Sequence, residues 1–552
     1  MRAARRRRPA RAGLVVVLVA VLLAACTGGG ATPDGETDGT PTADPGPRPE
    51  DVVASEVVVT SEAEVRVDVH PVVRVGDLAV LTLDLIPPDP FPETGRVHVH
   101  GWDVDGLTYH LTSEAPSNVR LVDLVRDVVL HGGTDGEGAP VVAPEGWATL
   151  RDPAGTRLQI PFAAPHPDAD EVALFLPGAP LVAAVPVIDG DVPASVRPAS
   201  AAAPTGTPGA SGSATASASP APAPEVLDLD AVAAAPVFPL ESTSIELAGA
   251  VTTVESQERV DVSLGSDVLF EFDQDVLTPA ADEALRLVAQ RLTERAPGDV
   301  TVVGHTDDQG DEAYNADLSQ RRARTVADAL GALVDPASYP MGVEGRGESE
   351  PVAPNTSDED RALNRRVTVT LTSTMVTRTE LTTGGELPPF GQEGQVGTAG
   401  TPLPVDALID WEVEATARRV HGHVVVDLVA RNVDDRSSSG AKIGSLDGGD
   451  RGRGEGTTAP SASSSGTILH GATRVLPLDY RTGVSERHPG GEWFALADLT
   501  VGGDMDPGQA RTFSFVYPEL DVDTVTFQAG TGRSSSYDFR ILDIPVAAEG
   551  TG

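Results

Sequence analysis

The sequence predicts a multidomain chain: a central α+β segment of order β-α-β-α-β-β, flanked by two mainly-β, sandwich-like regions. Three observations carry that prediction. The chain has 552 residues, where one domain takes roughly 150. Apolar residues recur with period two through its first and last parts, the mark of half-buried strands. Between about 231 and 376 that alternation trades places with the spacing of amphipathic helices.

Composition narrows the function classes. The net charge of −42 at pH 7 repels polyanions, so no nucleic-acid partner is expected. Lys442 is the sole lysine, which excludes phosphate loops and lysine nucleophiles over most of the chain. Cys26 is the sole cysteine, so an internal disulfide and a cysteine-rich zinc site are both ruled out.

The elements follow in order. Arg2, Arg5, Arg6, Arg7, Arg8 and Arg11 form a basic n-region before the apolar run Leu14 to Ala25. That run is short of the roughly 20 residues a membrane span needs. The junction Leu23-Ala24-Ala25-Cys26 resembles a bacterial lipobox. The resemblance implies a signal peptide over 1–25 and acylation, palmitate included, of Cys26 as a lipid anchor. A cleaved secretory peptide with an incidental cysteine is the plainer alternative. Residues 26–50, rich in Gly, Thr, Pro and Asp, read as a flexible linker.

Residues 51–195 read as a β-sandwich-like region. Val65, Val67 and Val69 alternate with polar residues, as do Leu81, Leu83 and Leu85, then Leu158, Ile160 and Phe162, with turn clusters such as Pro87-Pro88-Asp89-Pro90 between strands. An Ala/Pro/Ser/Thr linker is expected over 196–230 and a Gly-rich one over 377–404. The tethers at 27–50 and 200–224 would each span ~75 Å if extended, carrying the central domain well over ~100 Å from a membrane. Residues 405–552 read as a second β-sandwich-like region with a mobile loop at 436–466. Trp147-x-x-Leu150, Leu158/Ile160/Phe162 and Asp170-x-Val172-x-Leu174 share their order with Trp493-x-x-Leu496, Phe513/Phe515/Tyr517 and Asp523-x-Val525-x-Phe527. That order suggests a duplication, although generic sandwich strands would produce it too.

The central segment, 231–376, should open with a strand at Val268 to Asp273. A helix follows, capped by Thr278, with Leu285, Val288, Ala289 and Leu292 inward. Val300 to Val303 is the next strand. A second helix, Ala316 to Val334, should bury Ala323, Val326, Leu330 and Leu333. Met341 to Gly347, a loop, and a strand at Arg366 to Thr372 complete the segment.

Gly304-His305-Thr306-Asp307, Asn315, Leu318-Ser319-x-x-Arg322-Ala323, Gly345-x-Gly347-x-x-x-Pro351 and Asn364-Arg365-Arg366-Val367 occur here in order. Together they resemble the OmpA-like peptidoglycan-binding domain of the peptidoglycan-associated lipoprotein type, over about 262–373. The domain more often stands at the C-terminus. The resemblance implies a binding protein, not an enzyme, for the zwitterionic end of the diamino acid in peptidoglycan's stem peptide. On it, Asp307 would meet the ammonium and Arg322 the carboxylate, the latter by a bidentate fork. Arg322 is placed in the early turns of its helix, whose N-terminus would add amide donors. Leu318, Phe272, Asp273, Thr306, Asn315, Asn364 and Arg365 match further contact positions.

Structural readings compete. An Asp and an Arg at such spacing also suit an internal ion pair, and Arg365 suits a strand start. Arg321 reads as solvated. His305 reads as a hydrogen-bonding loop residue, with no triad spacing around it. Asp307-Asp308 with Asp311-Glu312 lacks EF-hand spacing, and His421-x-His423 lacks a third ligand. No metal and no cofactor are expected. The partners expected are peptidoglycan and, through Cys26, the extracytoplasmic face of a cell membrane or outer membrane. In the competing reading the β regions do the work as an adhesin, or bind an unknown protein partner.

Overall fold

The valines that alternate from Val65 to Val69 are buried, and so are Leu81, Leu83 and Leu85 beside Leu158, Ile160 and Phe162. They lie on strands Glu64–Val69, Leu78–Ile86 and Thr156–Ala163. The computed structural model describes residues 46–60, 62–99, 118–195, 226–246, 249–376, 386–391, 393–407, 409–438, 443, 446, 457–458, 466–482, 492–498, 505–530 and 537–549. Cys26, the expected signal peptide and most of the expected linkers lie outside them. Among the described residues, no helix is long and apolar enough to cross a membrane. The chain is multidomain and mostly β, with few helices.

The two β regions repeat one topology. In the first, neighbouring strands run Val128–Leu130, Arg120–Asp123, Glu171–Phe175, Val182–Asp189, Val72–Val75, Leu78–Ile86, Thr156–Ala163. In the second they run Thr473–Val475, Gly466–His470, Thr524–Ala529, Phe539–Ala547, Asp410–Val420, His423–Asn432, Ala510–Glu519. In both, the fourth and fifth strands pair in parallel and every other pair is antiparallel. Registers agree as well. Leu81 faces Ile160 as Val426 faces Phe515. The register slips between Val172 and Leu174, and at the same place between Val525 and Phe527. Arg74 donates to the carbonyls of His166 and Ala169, and Arg419 to those of Leu520 and Val522.

The central segment supplies strands β1 (Ser242–Glu246), β2 (Val251–Ser256), β3 (Arg259–Gly265), β4 (Val300–His305), β5 (Met341–Gly347) and β6 (Arg366–Thr372). Its helices are α1 (Ser266–Leu269), α2 (Ala281–Thr293), α3 (Glu312–Leu330) and α4 (Asp358–Asn364). The sheet order is β5-β4-β6-β3-β2-β1, with only β4 and β5 parallel. Leu285, Val288 and Leu292 of α2, with Ala323, Val326 and Leu330 of α3, share a core with Val260, Val262, Val302 and Val369 of the sheet.

Several expectations change. The segment opens with β1, β2 and β3, and Val268 to Asp273 is not a strand. The latter stretch is α1 followed by a loop, in which Phe270 bridges only Leu277. Thr278 does not cap α2; its hydroxyl donates to the Val268 carbonyl and closes that loop. Helix α3 starts at Glu312, because Asp311 accepts from the Ala313 amide, and Leu333 beyond its end is 47% exposed. The expected loop before β6 contains α4, closed by a capping box of Ser357 and Asp360.

Boundaries move too. Val237–Pro239, expected in the central domain, pairs with Val128–Leu130 of the first β region. Gln395–Thr398, expected in a linker, pairs with the second region's Phe539–Ala547. Within the expected mobile loop 436–466, Ile443 and Leu446 are buried in the core and Thr457–Thr458 pairs with Glu492 and Trp493. The expected reach is also reduced. Pro193 and Ala194 accept bonds from Gln159 and Arg157, and Ala233 already donates to Thr134. The segment between them leaves and rejoins the same body, so it adds no distance.

The β regions also share a core. Val122, Val129 and Phe175 of the first pack with Val425, Tyr480 and Val516 of the second. Buried Arg120 donates to the Ala495 and Ala497 carbonyls at 3.3 Å each, and Asp498 accepts from the Gly178 amide at 2.7 Å.

Candidate binding site

The site forms where the C-terminal end of β4, the middle of α3 and the loop after α1 converge. Two glycines set the helix-to-strand distance. A Cβ on Gly304 would stand 2.2 Å from the Ser319 carbonyl oxygen, and one on Gly345 2.5 Å from the Gln320 nitrogen. Only hydrogen at both positions lets α3 lie this close to β4 and β5. Gly347, at φ +53, then turns the chain so that its amide reaches the Ser319 hydroxyl at 3.0 Å.

Arg322 is the cation that closeness produces. It is 5% exposed, its Nε donates to the Gln274 carbonyl at 2.9 Å, and its guanidinium lies 5.2 Å over the Phe270 ring. Among the described residues, no carboxylate forms an ion pair with it. Burial lowers its pKa below the usual arginine value, opposed first by the charge of Asp267 and then by that of Asp273. It stands in the third turn of α3, ten residues past Glu312. At 1.5 Å per residue the helix N-terminus is ~15 Å away, so the expected help from N-terminal amides does not reach it.

Asp307 is not paired with Arg322. One carboxylate oxygen accepts from Arg365 at 2.7 Å, the other from the Gln309 amide at 3.2 Å. Arg365 also grips Asp267 in bidentate geometry, at 2.9 and 2.6 Å. Its guanidinium is therefore engaged by two carboxylates, which raises its pKa. Arg365, the residue between α4 and β6, acts as a bracket that fixes Asp307, which is 8% exposed.

Other expected residues fall into two groups. Phe272, 94% exposed, and Asp273, at φ +58, stand on the loop after α1, and Asp273 accepts from the Tyr314 hydroxyl at 2.7 Å. Leu318 is buried one turn before Arg322, and Thr306 is buried with a hydroxyl that has no hydrogen-bond partner. Of these, Asp273 acts electrostatically on Arg322, and Thr306 directly precedes Asp307 at the end of β4. Asn315 and Asn364 are framework instead. Asn315 donates to Glu348 at 2.7 Å and to the Gln309 carbonyl at 3.2 Å. Asn364 accepts from Val352 and Ala353 and donates to Ala353 and Asn355, which spends its amide on the loop before α4.

His305 is buried at the end of β4, its pKa pushed down to about 3 by burial and by the charges of Arg366 and Arg346. It is a neutral ring, ill suited to proton transfer at neutral pH. Arg321 is half exposed and paired with Asp317 and Asp275. His421 and His423 have separate partners: His423 meets Asp127 and His421 meets Glu171. Sequence reasoning missed Asp267, Gln274 and Tyr314. Asp267 lies 98 positions from Arg365, beyond any local pattern; Tyr314 adjoins Asn315 and was open to notice.

The sequence profile of the OmpA family matches residues 269–365, the stretch that holds Arg322, Asp307 and Arg365. Residues 269–365 are an OmpA family domain. The chain is 42% identical over 102 residues to outer membrane protein A of Klebsiella pneumoniae, and 39% identical over 101 residues to outer membrane porin F of Pseudomonas aeruginosa. Each alignment covers 18% of this chain and 29% of the relative, so this chain spans under a third of either relative's length. Among solved structures, the cell wall anchor of the T6SS from Pseudomonas aeruginosa is 36% identical, with a TM-score of 0.21, covering 23% of this chain and 90% of that one. The peptidoglycan-associated lipoprotein from Burkholderia pseudomallei is 32% identical, with a TM-score of 0.16, covering 18% and 86%.

Proposed function

We propose that this is a non-enzymatic lipoprotein of the cell envelope whose OmpA family domain binds peptidoglycan. Arg322 takes the carboxylate of the stem peptide's diamino acid and Asp307 its ammonium. The observation that carries the reading is a buried guanidinium with no carboxylate ion-pair partner among the described residues, in the same domain as a carboxylate that a second arginine holds in place. A buried cation without a counter-ion is costly, and a bound carboxylate would relieve that cost. Arg322 spends Nε on Gln274 and keeps its two terminal nitrogens for a bidentate contact.

The other residues take roles by position. Arg365 orients Asp307, Asn315 and Asn364 hold the flanking loops, and Phe272, Asp273, Thr306 and Leu318 line the approach. The OmpA family match over residues 269–365 supports the same assignment. Cys26, outside the described residues, would carry the lipid that holds the protein to the extracytoplasmic face of its membrane. Affinity at one site is modest for so small a ligand, and many copies facing one polymer would supply avidity. Co-sedimentation of the mature protein with purified peptidoglycan tests the reading. The wild type should pellet with the wall. A wild type that stays in the supernatant at every wall concentration would refute it.

A further inference from the structure

We propose that residues 237–246 give the chain a second, mechanical function, splicing the OmpA family domain and both β regions into one load-bearing body. Val237–Pro239 adds a strand beside Val128–Leu130 of the first region. After the two residues Leu240 and Glu241, β1 adds a strand beside Thr473–Val475 of the second. These are the same edge in the two repeats, since Val128–Leu130 and Thr473–Val475 occupy equivalent places in the shared strand order. One short segment therefore completes both copies by strand addition.

The OmpA family domain is caught in the same splice. β1 also pairs with β2 along its whole length, so the domain's sheet runs without a break into the second region as one 15-stranded sheet. Between the two added strands, Leu240 is buried among Val122, Val129, Val425 and Leu478 of both regions. Its amide donates to the Asp127 carbonyl at 2.7 Å. The Asp127 carboxylate accepts from Gln257, on the turn between β2 and β3 of the central segment, and stands 3.0 Å from His423 Nε2 of the second region. All three parts meet at that one side chain. Glu241 and Asp479 exchange both backbone bonds, at 2.7 and 3.0 Å. Force applied to the domain thus passes into hydrogen-bonded ladders and a shared apolar core, not into a linker. The domain keeps a fixed place relative to the β regions.

This goes beyond the wall-binding reading, and its test contains no wall. One protease site is inserted between Gly209 and Ala210 and another between Gly384 and Gly385 of the mature chain, and both are cut. The three pieces should elute together from gel filtration at the mass of the uncut protein. A central piece that elutes alone overturns the proposal. Spin labels at Asp328 and Glu412, in a Cys26→Ser background, should give one narrow distance distribution in the uncut protein. A broad one overturns it. Ile245→Pro breaks the ladder at β1 and should broaden that distribution and release the central piece after cutting. If a folded Ile245→Pro protein changes neither readout, the splice is not what joins the parts. If that variant does not fold, the two wild-type measurements still decide.

Discussion

At the scale of single residues, one charge is left open and another is secured. Asp307→Ala or Arg322→Ala leaves a ligand charge uncompensated, at about 2–5 kcal/mol in a desolvated site. Peptidoglycan binding should fall roughly thirtyfold or more, since each 1.4 kcal/mol is about tenfold. Arg321→Ala, on another face and already paired with Asp317, should change binding far less. Arg322→Lys is the sharper variant. It keeps the charge but gives up the fork and the Nε bond to Gln274, so it should still lose on the order of tenfold. Sedimentation isotherms on variants whose circular dichroism matches wild type check all four. Wild-type affinity for Arg322→Lys would reduce the site to a simple charge contact.

At the scale of elements, close packing and burial make the predictions. Gly304→Ala drives a Cβ into the Ser319 carbonyl, backbone against backbone, so α3 must move off β4. A loss of about 3 kcal/mol, at the upper end of overpacking costs, is expected in denaturant unfolding of the mature protein. An unchanged midpoint would contradict the contact. The β-region interface carries a pH dependence. His131 is half-buried there, its Nε2 2.8 Å from the Tyr480 hydroxyl, and desolvation with the charge of Arg120 pushes its pKa down to about 3. A histidine depressed on folding binds its proton mainly in the unfolded chain between about pH 6.5 and 3. Stability is therefore lost as pH falls through that window, by about 2 kcal/mol at pH 5. Denaturant midpoints at pH 7 and pH 5 measure this, and His131→Gln should flatten the difference by that amount.

At the scale of the molecule, the two β regions share a core, and a strand ladder through residues 242–246 joins the second of them to the central sheet. Calorimetry of the mature protein should therefore show one main transition, insensitive to reductant because no internal disulfide exists. Three well-separated transitions would mean the parts fold independently. Reach is a property at this scale too, and it must come from outside the described residues, since the segment after Ala194 rejoins its own body. Cys26→Ser should release the protein from the membrane fraction. Retention in the detergent phase would count against the lipid anchor.

Periodicity and motif spacing read from the chain alone determined a great deal. The alternating strands, the inward face of α2, most of that of α3 and the family blocks were legible, because each depends on neighbours within a few residues. The likeness of the two β regions was visible only as a shared order of apolar residues. Strand pairing made it a shared register, since pairing partners lie tens of residues apart. The bracket of Arg365 on Asp267 and Asp307 and the junction at Asp127 were invisible for the same reason. Val237–Pro239 looked like the start of a domain, and its alternation is indeed that of a strand. Which sheet a strand joins is decided by the edge it meets in space, and only the tertiary structure holds that information.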